Sequence, residues 1–256
     1  MILGIDVGGT HTDSVLMKGR KIIRKSKVLT DKENILNCVM MATEAVAKPE
    51  DIKNLERIVL STTLTTNAVV QNQLAPVGLV VMNGPGVSPK DLPLYDKANY
   101  VAGYMSHRGI EAEAPDRSEL AELKAKFKKE KINRLAIVGK FSTRNPAHEQ
   151  EVSDVFKDVA EHASQSHQLS GSLNFPRRIA TTYLNEAVWH LQDKLANELK
   201  TYMDKLGVNV PLYILKADGG TIEFEQSRKT PVQTILSGPA ATIMGVLPYV
   251  SDDMDS

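Results

Sequence analysis

The chain has 256 residues, 42% of them apolar, which is enough for one large domain or for one domain and part of another. Lysine and arginine balance aspartate and glutamate at 31 each, so the charge footprint of a nucleic-acid or anionic-membrane binder is absent. The single cysteine, Cys38, excludes an internal disulfide and any paired-cysteine metal spacing, and no apolar run has the length of a membrane span. The opening Met1-Ile2-Leu3-Gly4 lacks the basic and apolar regions of a signal peptide, and a soluble protein of a reduced, cytoplasmic setting is expected.

Residues 2–7 read as a short buried strand, residues 12–17 as its hairpin partner across Gly8-Gly9, and residues 21–29 as a third strand. Ile35, Val39, Ala42 and Val46 recur at helical spacing within residues 32–48. A strand over 57–61 leads into a Thr/Asn-rich segment that opens a helix. A strand over 77–82 follows, then a Pro- and Gly-rich loop over 83–98. A helix capped by Ser118 runs to Lys131 with Leu120, Leu123 and Phe127 on one face. Residues 135–138 give a strand, and Asn145-Pro146 precedes a helix reaching about His162. The longest helix starts near Arg177 and carries the stripe Leu184, Val188, Leu191, Leu195 and Leu199. A strand over 212–215, a turn at Asp218-Gly219-Gly220 and a last helix over 237–246 follow. A hairpin followed by alternating strands and helices argues for an α/β domain with a mixed sheet.

The segment Asp6-Val7-Gly8-Gly9-Thr10-His11-Thr12-Asp13 carries the chemistry. Two successive glycines suit the positive φ of a tight turn and leave backbone N–H groups uncovered, a concave row of donors for phosphate oxygens. Thr10 and Thr12 add hydroxyls. With Gly8 and Gly9 as the turn residues, Gly4 faces Asp13 and Asp6 faces His11. Both carboxylates then share a sheet face, where they could hold hydrated Mg²⁺ beside a phosphate. A three-residue turn would change that register.

Weaker signals each carry two readings. Ser61 to Asn67, with Thr66 and Asn67 at its end, offers hydroxyl and amide groups either for a substrate or for helix capping. His148 and Glu149, after Asn145-Pro146, fit a helix start better than an acid/base pair near a cleft. Ser237-Gly238-Pro239 fits a helix N-terminus facing nucleotide phosphate as well as it fits a plain serine cap. The six histidines show no i,i+4 pairing, which argues against zinc. Cys38 in a helix reads as a buried, inert thiol.

Asp-x-Gly-Gly-Thr-x-Thr-Asp at the N-terminus is similar to the first phosphate loop of the sugar kinase/Hsp70/actin superfamily. Four further segments resemble its hydantoinase/oxoprolinase branch: Ser61-Thr62-Thr63-Leu64-Thr65-Thr66-Asn67-Ala68; Ser142, Asn145, Pro146, His148 and Glu149; Arg178, Thr181 and Asn185, with Glu186 interposed before Ala187; and Asp218-Gly219-Gly220 followed by Ser237-Gly238-Pro239-Ala240. The resemblance implies an actin-like (ribonuclease H-like) α/β fold with a mixed sheet, with residues 1–175 as a nucleotide-binding lobe. Residues 176–256 would be a linking long helix and the start of a second lobe. It also implies ATP and Mg²⁺ as cofactors and ATP-driven opening of a cyclic amide such as 5-oxoproline or a hydantoin, by conversion of a poor leaving oxygen to a phosphate ester. Asp6 and Asp13 would be catalytic and metal-holding residues. Gly8, Gly9, Thr10, Thr12, Ser237 and Gly238 would hold the nucleotide, and Thr66, Asn67 and His148 the substrate.

Two alternatives stay open: the ATP-dependent activating subunit of a ketone carboxylase-like enzyme, and a non-catalytic ATP-binding or assembly module. The superfamily closes ATP between two lobes, each with its own hairpin, and the second is expected soon after residue 256. A C-terminal lobe, a partner subunit or a homo-oligomer would supply what one hairpin lacks, and the chain alone is expected to be a weak catalyst.

Overall fold

The computed structural model describes residues 1–31 and 34–247. It divides into two compact units: Met1–Gln73 with the chain from Trp189 onward, and Leu74–Val188.

The first unit begins with β1 (Ile2–Val7), β2 (His11–Lys18) and β3 (Lys21–Leu29), then α1 (Ile35–Val46), α2 (Pro49–Ile52), β4 (Arg57–Thr62) and α3 (Leu64–Val70). Asn34 caps α1 by accepting from the Asn37 N–H at 3.0 Å. The expected start of α1 at Lys32 lies outside the described residues. Alternation along β1 sends Leu3, Ile5 and Val7 inward, and Leu16, Leu60 and Ile214 join them against Val39, Ala42 and Val46 of α1. Leu3, Leu16 and Leu60 are at most 1% exposed, a burial that stabilises by about 1.5–3 kcal/mol for each such side chain.

The second unit contains β5 (Gly78–Met82), β6 (Ala98–Tyr100), β7 (Tyr104–Met105), β8 (Glu111–Glu113), α4 (Arg117–Glu130), β9 (Arg134–Gly139), α5 (Ala147–Phe156), β10 (His162–Gln165) and α6 (Ser166–Leu169). The long helix α7 (Phe175–Leu206) belongs to this unit through Val188 and to the first from Trp189. Strands β10-β9-β5-β6 form a parallel sheet in that order, and β7 pairs with β8 antiparallel. Both faces of the parallel sheet are covered, which explains the unbroken apolar runs of β5 and β9. Val80, Met82, Leu135 and Ile137 pack against Leu120, Phe127 and Phe156, whereas Leu79, Val81, Ala136 and Val138 pack against Phe175 and Ile179. The two ends of this unit meet: the Ala75 N–H donates to the Ala187 carbonyl at 3.2 Å.

The chain then returns to the first unit through β11 (Leu212–Leu215), β12 (Thr221–Glu223), α8 (Phe224–Ser227) and α9 (Ser237–Val246). The first sheet has the order β12-β11-β4-β1-β2-β3. Its β1–β2 and β2–β3 pairs are antiparallel, and its β1–β4 and β4–β11 pairs are parallel. This is the mixed sheet expected of a ribonuclease H-like domain.

Strand β11 pairs with β4, so the chain after Trp189 completes the first sheet. Several expectations of local structure are corrected. The hairpin closes at Gly8 and His11 (N to O, 3.0 Å), so Asp6 faces Asp13 and Gly4 faces Val15. Neither Gly8 nor Gly9 takes a positive φ. Gly8 is required by close approach, since a Cβ there would lie 2.9 Å from the His11 carbonyl oxygen. Asp116, not Ser118, caps α4, accepting from the N–H groups of Ser118 and Glu119. The helix after Pro146 ends at Phe156, and His162 opens an edge strand instead. Strands β6, β7, β8 and β12 are each two or three residues long, too short to show a period in sequence.

Candidate functional site

Asp6 and Val7 end β1, Ser61 and Thr62 end β4, and β2 starts at His11, so the hairpin stands at the C-terminal edge of the parallel strands of the first unit. That edge is where ligands bind in α/β sheets. Cross-strand register places Asp13, Asp6 and Ser61 in one row on one face, with Asp6 opposite Asp13 on one side and Ser61 on the other. The expected shared face of the two carboxylates therefore holds, through a different register. Directly opposed like charges on neighbouring strands repel. Here the Lys27 ammonium, 2.8 Å from Asp13 Oδ2, offsets one of the two charges. Asp6 is exposed and makes no ion pair among the described residues.

Around the turn, Gly9 and Thr10 are exposed, and beside Gly9 nothing lies within 4 Å of where a Cβ would be. Thr12 differs. It is fully buried, on the core face with Val7, and its hydroxyl lies 2.9 Å from that of Thr30. The period of two that keeps Asp13 on the open face turns Thr12 away from it, so the expected Thr12 donor is already engaged.

Gly8 and Gly9 line a pocket of about 260 Å³ together with Thr30, Thr63, Asn67 and Leu191. Thr63 is anchored to the end of β1 by its N–H and hydroxyl, which donate to the Val7 carbonyl at 3.2 and 3.3 Å. The Asn67 amide donates to the Thr63 hydroxyl at 3.2 Å. Thr66 faces another neighbour: its hydroxyl accepts from the Leu236 N–H at 2.9 Å, while Thr65 pairs with Thr234. Leu236 precedes α9 in the left-handed conformation, φ 65°, a position unusual for a branched side chain. Ser237 is therefore the first residue of α9 and not its cap. It is fully buried, and its hydroxyl has no partner, while Gly238 has open space beside it. Helix α9 packs against β4 and β11, yet Ile243, Met244, Val246 and Leu247 are each about half exposed or more.

His148 belongs to the second unit. It is 3% exposed, and its Nε2 lies 2.8 Å from Glu111 Oε2. The neighbouring signature residues form a buried network that the sequence did not foretell. Glu149 accepts from the Gly139 N–H (2.8 Å), the Ser166 hydroxyl (2.5 Å) and the His167 N–H (3.1 Å), and its Oε2 lies 2.6 Å from His167 Nδ1. Arg178 donates to the hydroxyls of Ser142 (2.7 Å) and Ser166 (2.6 Å) and to the carbonyls of Gly139 (2.9 Å) and Lys140. Burial alone would raise the Glu149 carboxyl. The hydrogen bonds from His167, Ser166 and the Gly139 N–H outweigh it and hold the group below the usual carboxylate range. Burial lowers the Arg178 guanidinium, and the Glu149 charge opposes that shift. Nearby, Glu186 is fully buried and accepts from Ser164 at 2.7 Å, with His162 Nδ1 at 2.8 Å. Glu149 thus does more than place a favourable charge at the start of α5: it anchors the loop after β9 and the start of α6.

No group of three or more metal-ligating side chains occurs among the described residues. No helix there is long and apolar enough to cross a membrane. Cys38 is buried.

Residues 2–160 match the Hydantoinase/oxoprolinase N-terminal region, and residues 178–255 match Hydantoinase/oxoprolinase. The chain is 24% identical over 270 residues to the caprolactamase subunit alpha of Pseudomonas jessenii, covering 93% of this chain and 38% of that protein. It is 25% identical over 273 residues to an uncharacterized protein of Methanocaldococcus jannaschii, covering 95% and 39%. Among solved structures, a nucleotide-free acetone carboxylase superposes with a TM-score of 0.85 at 19% identity, over 97% of this chain and 40% of that one. The ATP-dependent caprolactamase of P. jessenii superposes with a TM-score of 0.78 at 20% identity, over 98% and 41%. The fold is shared with both, and the chain spans about two-fifths of each of these proteins.

Proposed function

The chain belongs to the hydantoinase/oxoprolinase family, and from that premise we propose that it binds ATP at the hairpin from Asp6 to Asp13. In this reading it forms the N-terminal part of an ATP-dependent hydrolase of cyclic amides of the 5-oxoproline or hydantoin type. The observation that carries it is the row of Asp13 and Asp6 beside the exposed Gly9-Thr10 turn, at the C-terminal edge of the parallel strands. Backbone N–H groups of Gly9 and Thr10 would hold phosphate oxygens, with no side chain at Gly9 to block the approach. Two opposed carboxylates with a single lysine suit a divalent cation, so Asp6 and Asp13 would hold Mg²⁺. When bound, Mg²⁺ neutralises charge on the transferring phosphoryl group. Asn67, in the pocket with Gly8 and Gly9, would position the amide substrate, and Thr66 would act by fixing Leu236 and the start of α9.

The rest of the cleft would come from further polypeptide, a second lobe or a partner subunit. This is supported by the length of the relatives and by the exposed apolar residues of α9, which suit burial against another surface. The acetone carboxylase likeness concerns the fold. Comparing turnover of ATP with a lactam, a hydantoin and a ketone separates amide opening from ketone activation.

The first test is calorimetric titration of Mg-ATP into the chain and its Asp6→Ala variant. Saturable binding that the substitution abolishes, with thermal stability unchanged, is expected. Absence of binding up to millimolar nucleotide both in this chain and in one carrying the second lobe, or equal binding by the wild type and the variant, overturns the reading.

A further inference from the structure

Four hydroxyls of the first unit are buried without a partner, those of Ser61, Tyr202, Thr230 and Ser237, and two of them stand on β4 and α9, which pack together: Ser61 at the end of β4, 3% exposed, and Ser237 at the start of α9, fully buried. A buried hydroxyl without a hydrogen bond carries the whole cost of leaving water, and native folds rarely keep one without a use. The neighbours of each make the omission more telling. Thr62, Thr63, Thr65, Thr66 and Thr234 all make hydrogen bonds. Ser61 sits beside Asp6 in the sheet register yet does not donate to it.

Resting on the ATP reading above, we propose that Ser61 is a phosphate-binding residue of this site, and that its hydroxyl and that of Ser237 donate to the nucleotide's phosphate oxygens. The register puts Ser61 on the sheet face of Asp6 and Asp13, at the end of the row away from Lys27. The row then has a cation-holding end of two carboxylates and a donor end of one hydroxyl. A phosphate bridging the two needs both, because its oxygens only accept hydrogen bonds and carboxylates repel it without a metal. Helix α9 is ten residues long, and its first-turn N–H groups add donors beside the Ser237 hydroxyl. The left-handed Leu236, held by the Thr66 hydroxyl, sets where that helix begins. Thr66 thus acts on the phosphate site through the backbone and not by touching a ligand.

An unused hydroxyl and a ligand-facing one differ in sign when removed. Ser61→Ala is measured for thermal stability without ligand and for Mg-ATP affinity by calorimetry, with Ser61→Thr as the variant that keeps the hydroxyl. The expected result is a free chain at least as stable as the wild type, Mg-ATP binding weakened about tenfold, and recovery of most of that loss in Ser61→Thr. Ser237→Ala should behave like Ser61→Ala. Wild-type affinity in Ser61→Ala overturns the proposal. So does a free chain that melts lower, which is the signature of a hydroxyl satisfied by bound water or packing. If neither the wild-type chain nor one carrying the second lobe binds Mg-ATP, the ATP reading fails first and this assignment goes with it. Binding by the wild type with no effect of Ser61→Ala removes the assignment alone.

Discussion

In the first unit Thr12, Asp13, Thr65 and Thr66 are engaged, but other signature residues keep polar groups uncommitted: Asp6 exposed, the Gly9-Thr10 turn open, and the hydroxyls of Ser61 and Ser237 without partners. In the second unit the signature residues Ser142, Glu149 and Arg178 are all at most 3% exposed and bonded to one another through shared hydroxyls and carbonyls. Among the described carboxylate and guanidinium groups there, the Nε atoms of Arg134 and Arg178 and one oxygen of Glu186 depart from that saturation. The same family resemblance therefore marks two kinds of residue. One kind has donors and acceptors available to a ligand. The other has used them to hold the loop after β9 against α5, α6 and the start of α7.

Cutting the saturated network should give the largest effect. Arg178→Ala leaves the buried Gly139 and Lys140 carbonyls without this donor and the buried Glu149 charge without its neighbouring guanidinium, and a loss of about 3–5 kcal/mol in urea unfolding is expected. A loss under about 1 kcal/mol would place Arg178 among residues that contribute little to the fold. The next test uses acid. The folded Glu149 lies below its usual range, so its stabilising contribution is complete above the unfolded glutamate pKa, about 4.3, and is lost as pH falls through the lower folded value. Glu149→Gln should flatten the fall in stability over that window, and an unchanged acid limb would remove Glu149 from the account.

The smallest effect sharpens the contrast inside the hairpin. Gly8→Ala should cost about 1–3 kcal/mol, because the new methyl meets the His11 carbonyl at 2.9 Å. Gly9→Ala, with nothing within 4 Å, should melt as the wild type does while weakening Mg-ATP. Equal melting temperatures for the two variants would show that the turn relaxes.

How much of this could be read from the residues alone follows from physical range. Strand β1, the helix α1 face and the long α7 stripe depend on local periodicity, and they were legible. The hairpin register was not: it depends on which residues close the turn, and Gly8 closes against His11 instead of serving as a turn residue. Asp116 and Ser118 are both good caps two positions apart, and only the chain direction before α4 selects Asp116. Residues 157–165 lack a clear period, so the edge strand from His162 depends on pairing with β9. At the site, Asp6, Asp13 and the glycines could be named from spacing. The engagement of Thr12 by Thr30 and the isolation of Ser61 could not, because each depends on the face to which a strand turns its side chains.

The hydrogen bond from Ala75 to Ala187 has a consequence for how this chain could have grown. Its donor and acceptor lie at the two ends of the second unit, so that unit begins and finishes at nearly one point in space. A segment with joined ends can be placed in a surface connection for little more loop-closure entropy than a short turn would need. Residues 74–188 have the form of a cassette. They can be exchanged or enlarged while the strand order around the hairpin, and the row from Asp13 to Ser61, is inherited intact.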